Sequence, residues 1–73
     1  MYFMRGTILE WNNDKGYRRG LFVPDKQIKS LTHQGRLVVL MLDEDLNLQK
    51  NEKGGNIIGI VDKNKTKVIG FQD

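Results

Sequence analysis

A small all-β domain is the fold class this chain predicts, and three observations carry it. Its apolar residues fall in five short runs rich in Val, Ile and Leu. Clusters of Asn, Asp, Gly and Lys separate the runs. No stretch sustains the three-to-four residue spacing of a long amphipathic helix. Several short strands in a chain of 73 residues imply a compact barrel or a curled sheet.

The elements follow in order. Tyr2 and Phe3 read as edge packing ahead of the first strand. Thr7-Ile8-Leu9 leads into Trp11 as that strand. Leu21-Phe22-Val23 is the second run, stopped by Pro24-Asp25 because proline has no amide hydrogen to give a ladder. Asp25 to Thr32 reads as a helical turn, capped by Asp25, with Ile28 and Leu31 tucked underneath. Leu37 to Leu42 is the third and strongest run. It is apolar on both faces, whereas a small-barrel strand alternates, so its outer residues need a cover. Leu46 and Leu48 alternate with polar neighbours and extend it past an acidic kink at Asp43-Glu44-Asp45. Asn51 to Gly55 is a turn, Ile57 to Val61 the fourth run, Asp62 to Thr66 a turn, and Val68 to Phe71 the fifth run.

Size and composition bound the function. A chain this short buries only about 60% of its unfolded surface, so its stability is marginal without further burial. Having no cysteine, it has neither a disulfide nor a thiolate metal site, and its one histidine, His33, reads as a polar loop residue. The acidic triplet lacks the ligand spacing and glycine of a calcium loop, and no phosphate-cradling or nucleophile motif is present. The expectation is therefore a protein that is not an enzyme and takes no cofactor and no metal. No apolar run approaches the roughly 18 residues of a membrane span. Together with a start that lacks a signal peptide's apolar core, this makes cytoplasmic location and no membrane partner the expectation. A net charge of +3 leans weakly toward a polyanionic partner.

The segment Trp11 to Arg19 holds the candidate site. Trp11 and Tyr17 offer flat rings for stacking nucleobases, with both rings expected to face solvent. Lys15, Arg18 and Arg19 stand beside them to draw phosphates. Gly16 removes a side chain where a ligand strand would approach. A second basic group, Lys63, Lys65 and Lys67, reads as a solvated hairpin.

Gly6-Thr7-Ile8, Trp11-Asn12 and Asp14-Lys15-Gly16-Tyr17 resemble the opening of the bacterial cold-shock domain, a small OB-type barrel. Gly35-Arg36-Leu37-Val38-Val39 and Gly55-Asn56-Ile57 look like its later strands. The resemblance covers residues 4–62 and implies an OB-like five-stranded barrel that binds single-stranded RNA or DNA with little sequence preference, in an RNA-chaperone-like role. It carries over Trp11, Lys15 and Tyr17 as contacts, with Phe22 standing for one ring of the second motif.

The chain also departs from that pattern. Glu10 falls on the family's Trp position, where a carboxylate repels phosphate. Arg18-Arg19 interrupt the first motif, and Pro24 takes the place of the second motif's His. The middle is short: either strands two and three form a stub hairpin near Arg19-Gly20, or one strand is missing. Residues 1–62 then form the cold-shock-like domain and 63–73 an additional strand of it. That tail fills the open edge in its own barrel or in a neighbour's, the latter giving a homodimer by strand exchange or edge pairing. Two alternatives stand beside nucleic-acid binding: a protein-interaction or oligomerisation module on a barrel that has lost it, and an unrelated SH3-like small barrel.

Overall fold

The computed structural model describes residues 3–72, which leaves Tyr2 outside the described residues. Five strands form one antiparallel sheet: β1 (Thr7–Asn13), β2 (Gly16–Phe22), β3 (Arg36–Leu42), β4 (Ile58–Asp62) and β5 (Lys67–Phe71). The five apolar runs thus each become a strand. Their order across the sheet is β4-β3-β2-β1-β5. The first four pair as sequence neighbours, and the last returns to the free edge of β1. This is a meander and not the Greek key of an OB barrel, so the strand order corrects that part of the cold-shock expectation.

The first hairpin turns at Asp14-Lys15, where the Asn13 side chain accepts the Lys15 amide at 2.9 Å. Gly16 follows with φ of +110°, a conformation that L side chains rarely adopt. A Cβ added there would meet nothing within 4 Å. The positive φ is what the turn requires of this glycine. β2 then runs straight through Arg18, Arg19 and Gly20, so no stub hairpin forms there.

β2 ends at Phe22 because Pro24 opens a 3-10 turn over Pro24–Lys26. The side-chain amide of Gln27 takes over where the strand departs. Its Oε1 accepts the Val38 amide at 3.0 Å and its Nε2 donates to the Val38 carbonyl at 2.7 Å. One side chain thus continues the β3 ladder for one more residue. The short helix α1 (Lys29–His33) has Ile28 at its N-cap, without a side-chain cap bond. Asp25 is not that cap: it pairs with Arg5, and Ile28 is half exposed and not tucked under. Arg5 holds the Asp25 carboxyl below its usual range through the hydrogen bond and its charge. Whatever this exposed pair contributes is present at neutral pH and lost as acid carries the pH below the ordinary 3.8 through the folded-state value.

Beyond β3 the chain reverses and does not extend. Asp43 Oδ1 accepts the amides of Asp45 and Asn47, both at 2.9 Å, and Leu46 sits in the left-handed region with φ of +66°. Leu48 then bridges back to Leu42. The acidic kink is a built turn, with Asp43 as its organiser.

Period two assigns the faces. Leu9, Phe22, Leu37, Val39 and Val61 share one face and form the core, with Leu9 and Val39 fully buried. Residues 63–66 connect the two outermost strands, three of them in a 3-10 turn rising only about 2 Å per residue. A flat five-stranded sheet would hold those edges about 19 Å apart. The sheet therefore curls around its core, while β4 and β5 share no ladder and leave it open.

β5 pairs with the β1 of its own chain. The outward residues of β3 are already sealed, Val38 at 4%, Leu40 at 8% and Leu42 at 2% exposure. Neither feature calls for a second copy as the cover that the apolar run demands. Gly20 makes the packing tight at mid-sheet: a Cβ there would come within 2.5 Å of the Val39 side chain and 3.1 Å of the Trp11 ring.

Candidate functional site

The hairpin register decides where the two rings go. Trp11 lies opposite Arg18, and Tyr17 opposite Asn12. Directly opposed residues share a face, so Trp11 shares the core face with Leu9, while Tyr17 shares the outer face with Glu10 and Arg19. Trp11 is half-buried and packs against the core cluster. Tyr17 is 59% exposed. The expected pair of outward rings on one surface is thus corrected: one ring is a free platform and the other covers the core. Phe22 is corrected as well. It is 2% exposed and meets Phe3 edge-on at 5.7 Å, so it is a core ring and not a ligand-facing one.

Four of the sequence-predicted residues do come together. Lys15, Tyr17, Arg18 and Arg19 line an open groove of about 750 Å³, and Leu42, Asp43, Glu44 and Gln49 complete it. Its origin is geometric. The last β2–β3 pair is Arg19 with Leu42. β2 continues past that pair to Gly16, while the chain after β3 turns away at Asp43. The hairpin tip and the acidic turn therefore face each other across a gap.

Charge is distributed unevenly around it. Arg19 Nε donates to Glu10 Oε2 at 3.0 Å, directly across the β1–β2 pair. Lys67 Nζ approaches the other oxygen of Glu10 at 3.9 Å from β5. Glu10 thus lies between two cations on flanking strands and holds Arg19 in place. Arg18 Nη1 donates to the Tyr17 carbonyl at 3.1 Å, and the side chain lines the groove. Lys15 is exposed at the turn. On the far wall, one Asp43 oxygen holds the turn, and Glu44 is exposed.

Sequence reasoning missed Asp43, Glu44 and Gln49 as groove residues. A signal was available only in part, since the acidic triplet marked the end of β3 but not what it would face. A replacement at Glu10 follows from this layout. Glu10→Gln should release Arg19, tighten binding of any polyanion in the groove, and steepen its logarithmic salt dependence by up to about 0.7. It should cost about 1 kcal/mol in urea unfolding, because a largely buried charged hydrogen bond is weakened. Unchanged salt dependence would show that Arg19 does not reach the ligand.

Among the described residues, no helix is long and apolar enough to cross a membrane. Compared with known proteins, the chain matches no family model, no curated protein and no solved structure.

Proposed function

We propose that this protein binds single-stranded nucleic acid in the groove between the β1–β2 hairpin and the turn after β3. The observation that carries the reading is the single groove shared by an exposed Tyr17 ring and the cations Lys15, Arg18 and Arg19. A base stacks on the phenol, which is sequence-tolerant because every base has a flat face. The cations take the phosphates on either side. Lys15 and Arg18 act first, since Arg19 is held by Glu10. The chain's own residues supply binding and orientation, and the reading needs no catalysis and no cofactor. As for the barrel type, the meander order resembles that of SH3-like barrels more than that of the OB barrel implied by the cold-shock resemblance.

The test is a fluorescence-anisotropy titration of labelled single-stranded heptamers at several salt concentrations. Binding should weaken with salt, with a slope of roughly −0.7 per phosphate neutralised. No anisotropy change at low salt would end the reading.

A protein-interaction module is the second reading, and one observation favours it. The outer strands carry exposed apolar residues: Ile58 and Ile60 on β4, and Val68, Ile69 and Phe71 on β5. Edge strands with free backbone groups and apolar side chains recruit partners. Light scattering after size exclusion tests self-association, and a strict monomer at high micromolar concentration would remove the homodimer form of this reading.

A further inference from the structure

We infer that the groove selects guanine among the bases of a single strand, through the carboxylates of its far wall. The inference rests on the nucleic-acid reading above and deepens it. Asp43 builds the turn, but a groove serving phosphates alone has no use for Glu44, which weakens its field. Its position gives it another role. Arg19 pairs with Leu42 in the last rung of the β2–β3 ladder. Asp43 and Glu44 are the next two residues beyond that rung, and Arg18 and Tyr17 the next two on the other strand. Asp43 and Glu44 thus stand across the groove from Arg18 and Tyr17, with Glu44 at the level of the stacking ring.

A base lying on Tyr17 with its phosphates toward Lys15 and Arg18 directs its outer edge to that wall. An ionised carboxylate only accepts hydrogen bonds. Guanine presents two adjacent donors on its Watson–Crick edge, the N1 hydrogen and the 2-amino group. Thymine and uracil offer one donor between two carbonyl oxygens that a carboxylate repels. Cytosine and adenine offer an amino group beside an acceptor nitrogen. Guanine alone matches a two-oxygen acceptor in both positions. Glu44 is the better placed of the two residues, because it is exposed, whereas Asp43 commits one oxygen to the amides of Asp45 and Asn47.

The experiment compares labelled deoxythymidine heptamers that carry guanine, hypoxanthine or thymine at the central position, titrated with the parent chain and with Glu44→Gln. A single guanine avoids four-stranded association. The guanine heptamer should bind about 10-fold tighter than all-thymine, the range of one good bidentate base contact. Hypoxanthine, which lacks the 2-amino group, should lose most of that advantage. Glu44→Gln should remove the discrimination and leave all-thymine binding equal or tighter, since a negative charge has gone.

Equal binding of all three heptamers by the parent chain would overturn guanine selection and leave the nucleic-acid reading intact. No binding of any heptamer at low salt would overturn that reading and this inference with it. Discrimination that survives in Glu44→Gln would overturn the role of that carboxylate. Displacement by equimolar free guanosine monophosphate would make the site a mononucleotide site, which overturns recognition within a strand.

Discussion

Gly6→Ala should unfold much of this protein at room temperature. Gly6 has φ of +86°, and a Cβ built there falls 2.1 Å from the Gln72 carbonyl oxygen. That oxygen belongs to the backbone, so no side-chain rotation relieves the clash. The same two residues are joined in the native ladder, with the Gln72 amide donating to the Gly6 carbonyl at 2.7 Å. An alanine must therefore push away the end of β5. Left-handed strain alone costs roughly 1–2 kcal/mol, and overpacking typically adds about 1–3 kcal/mol. A sum of about 3 kcal/mol or more approaches the whole stability expected of a domain this small.

Thermal denaturation should show the midpoint falling by about 15 °C, at about 4–8 °C per kcal/mol for this length. Hydrogen exchange should show β5 losing protection before β2 and β3. Gly16→Ala is the comparison: it meets the same kind of φ with nothing within 4 Å, so it carries strain without the clash and should cost less. A Gly6→Ala chain as stable as the parent would show that β5 does not dock as described.

Tyr17→Ala should weaken single-strand binding by about 1–3 kcal/mol, and by the same amount for all-thymine and other base-neutral strands. Tyr17 is the exposed ring of the groove, and its removal leaves the sheet's core untouched. Trp11→Phe should do the reverse. It trims a ring packed against Leu9, Val39 and their neighbours, so it should lower stability while leaving affinity close to the parent's. Indole emission should change little on binding, because Trp11 lies on the core face and does not line the groove. Arg18→Ala should chiefly flatten the salt dependence, by about 0.7 in slope for the one phosphate that is no longer neutralised. Strong quenching of Trp11 combined with a neutral Tyr17→Ala would move the binding surface to the other face of the sheet.

The contrast between these two rings shows where sequence reading stopped. Trp11 and Tyr17 are six residues apart, close enough to look like one surface. The turn at Asp14-Lys15 pairs residues 11 with 18 and 12 with 17. Side chains alternate at period two, so a difference of one position in pairing transfers a ring to the opposite face. The sequence allows a stub hairpin near Arg19-Gly20, and the register depends on which residue takes the left-handed conformation, here Gly16. Phe22 shows a different limit. Its burial depends on Phe3 and on β3, which approach from elsewhere in the chain. The same holds for Asp43 and Glu44, whose role depends on what the turn faces and not on what surrounds it in sequence.

By itself the sequence determined that five short apolar runs become strands, the stop at Pro24, the turns around residues 51 and 63, and the cluster of cations between Lys15 and Arg19. Those features are local: they follow from side-chain alternation, from proline's missing donor and from the backbone preferences of a few turn residues. Only the tertiary structure decided that the strands run as a meander, that β5 closes on β1, that one aromatic faces the core and the other the solvent, and that an acidic turn stands opposite the cations. Each of these depends on contacts between residues far apart in the chain, and short-range propensity carries no information about which distant partner is chosen.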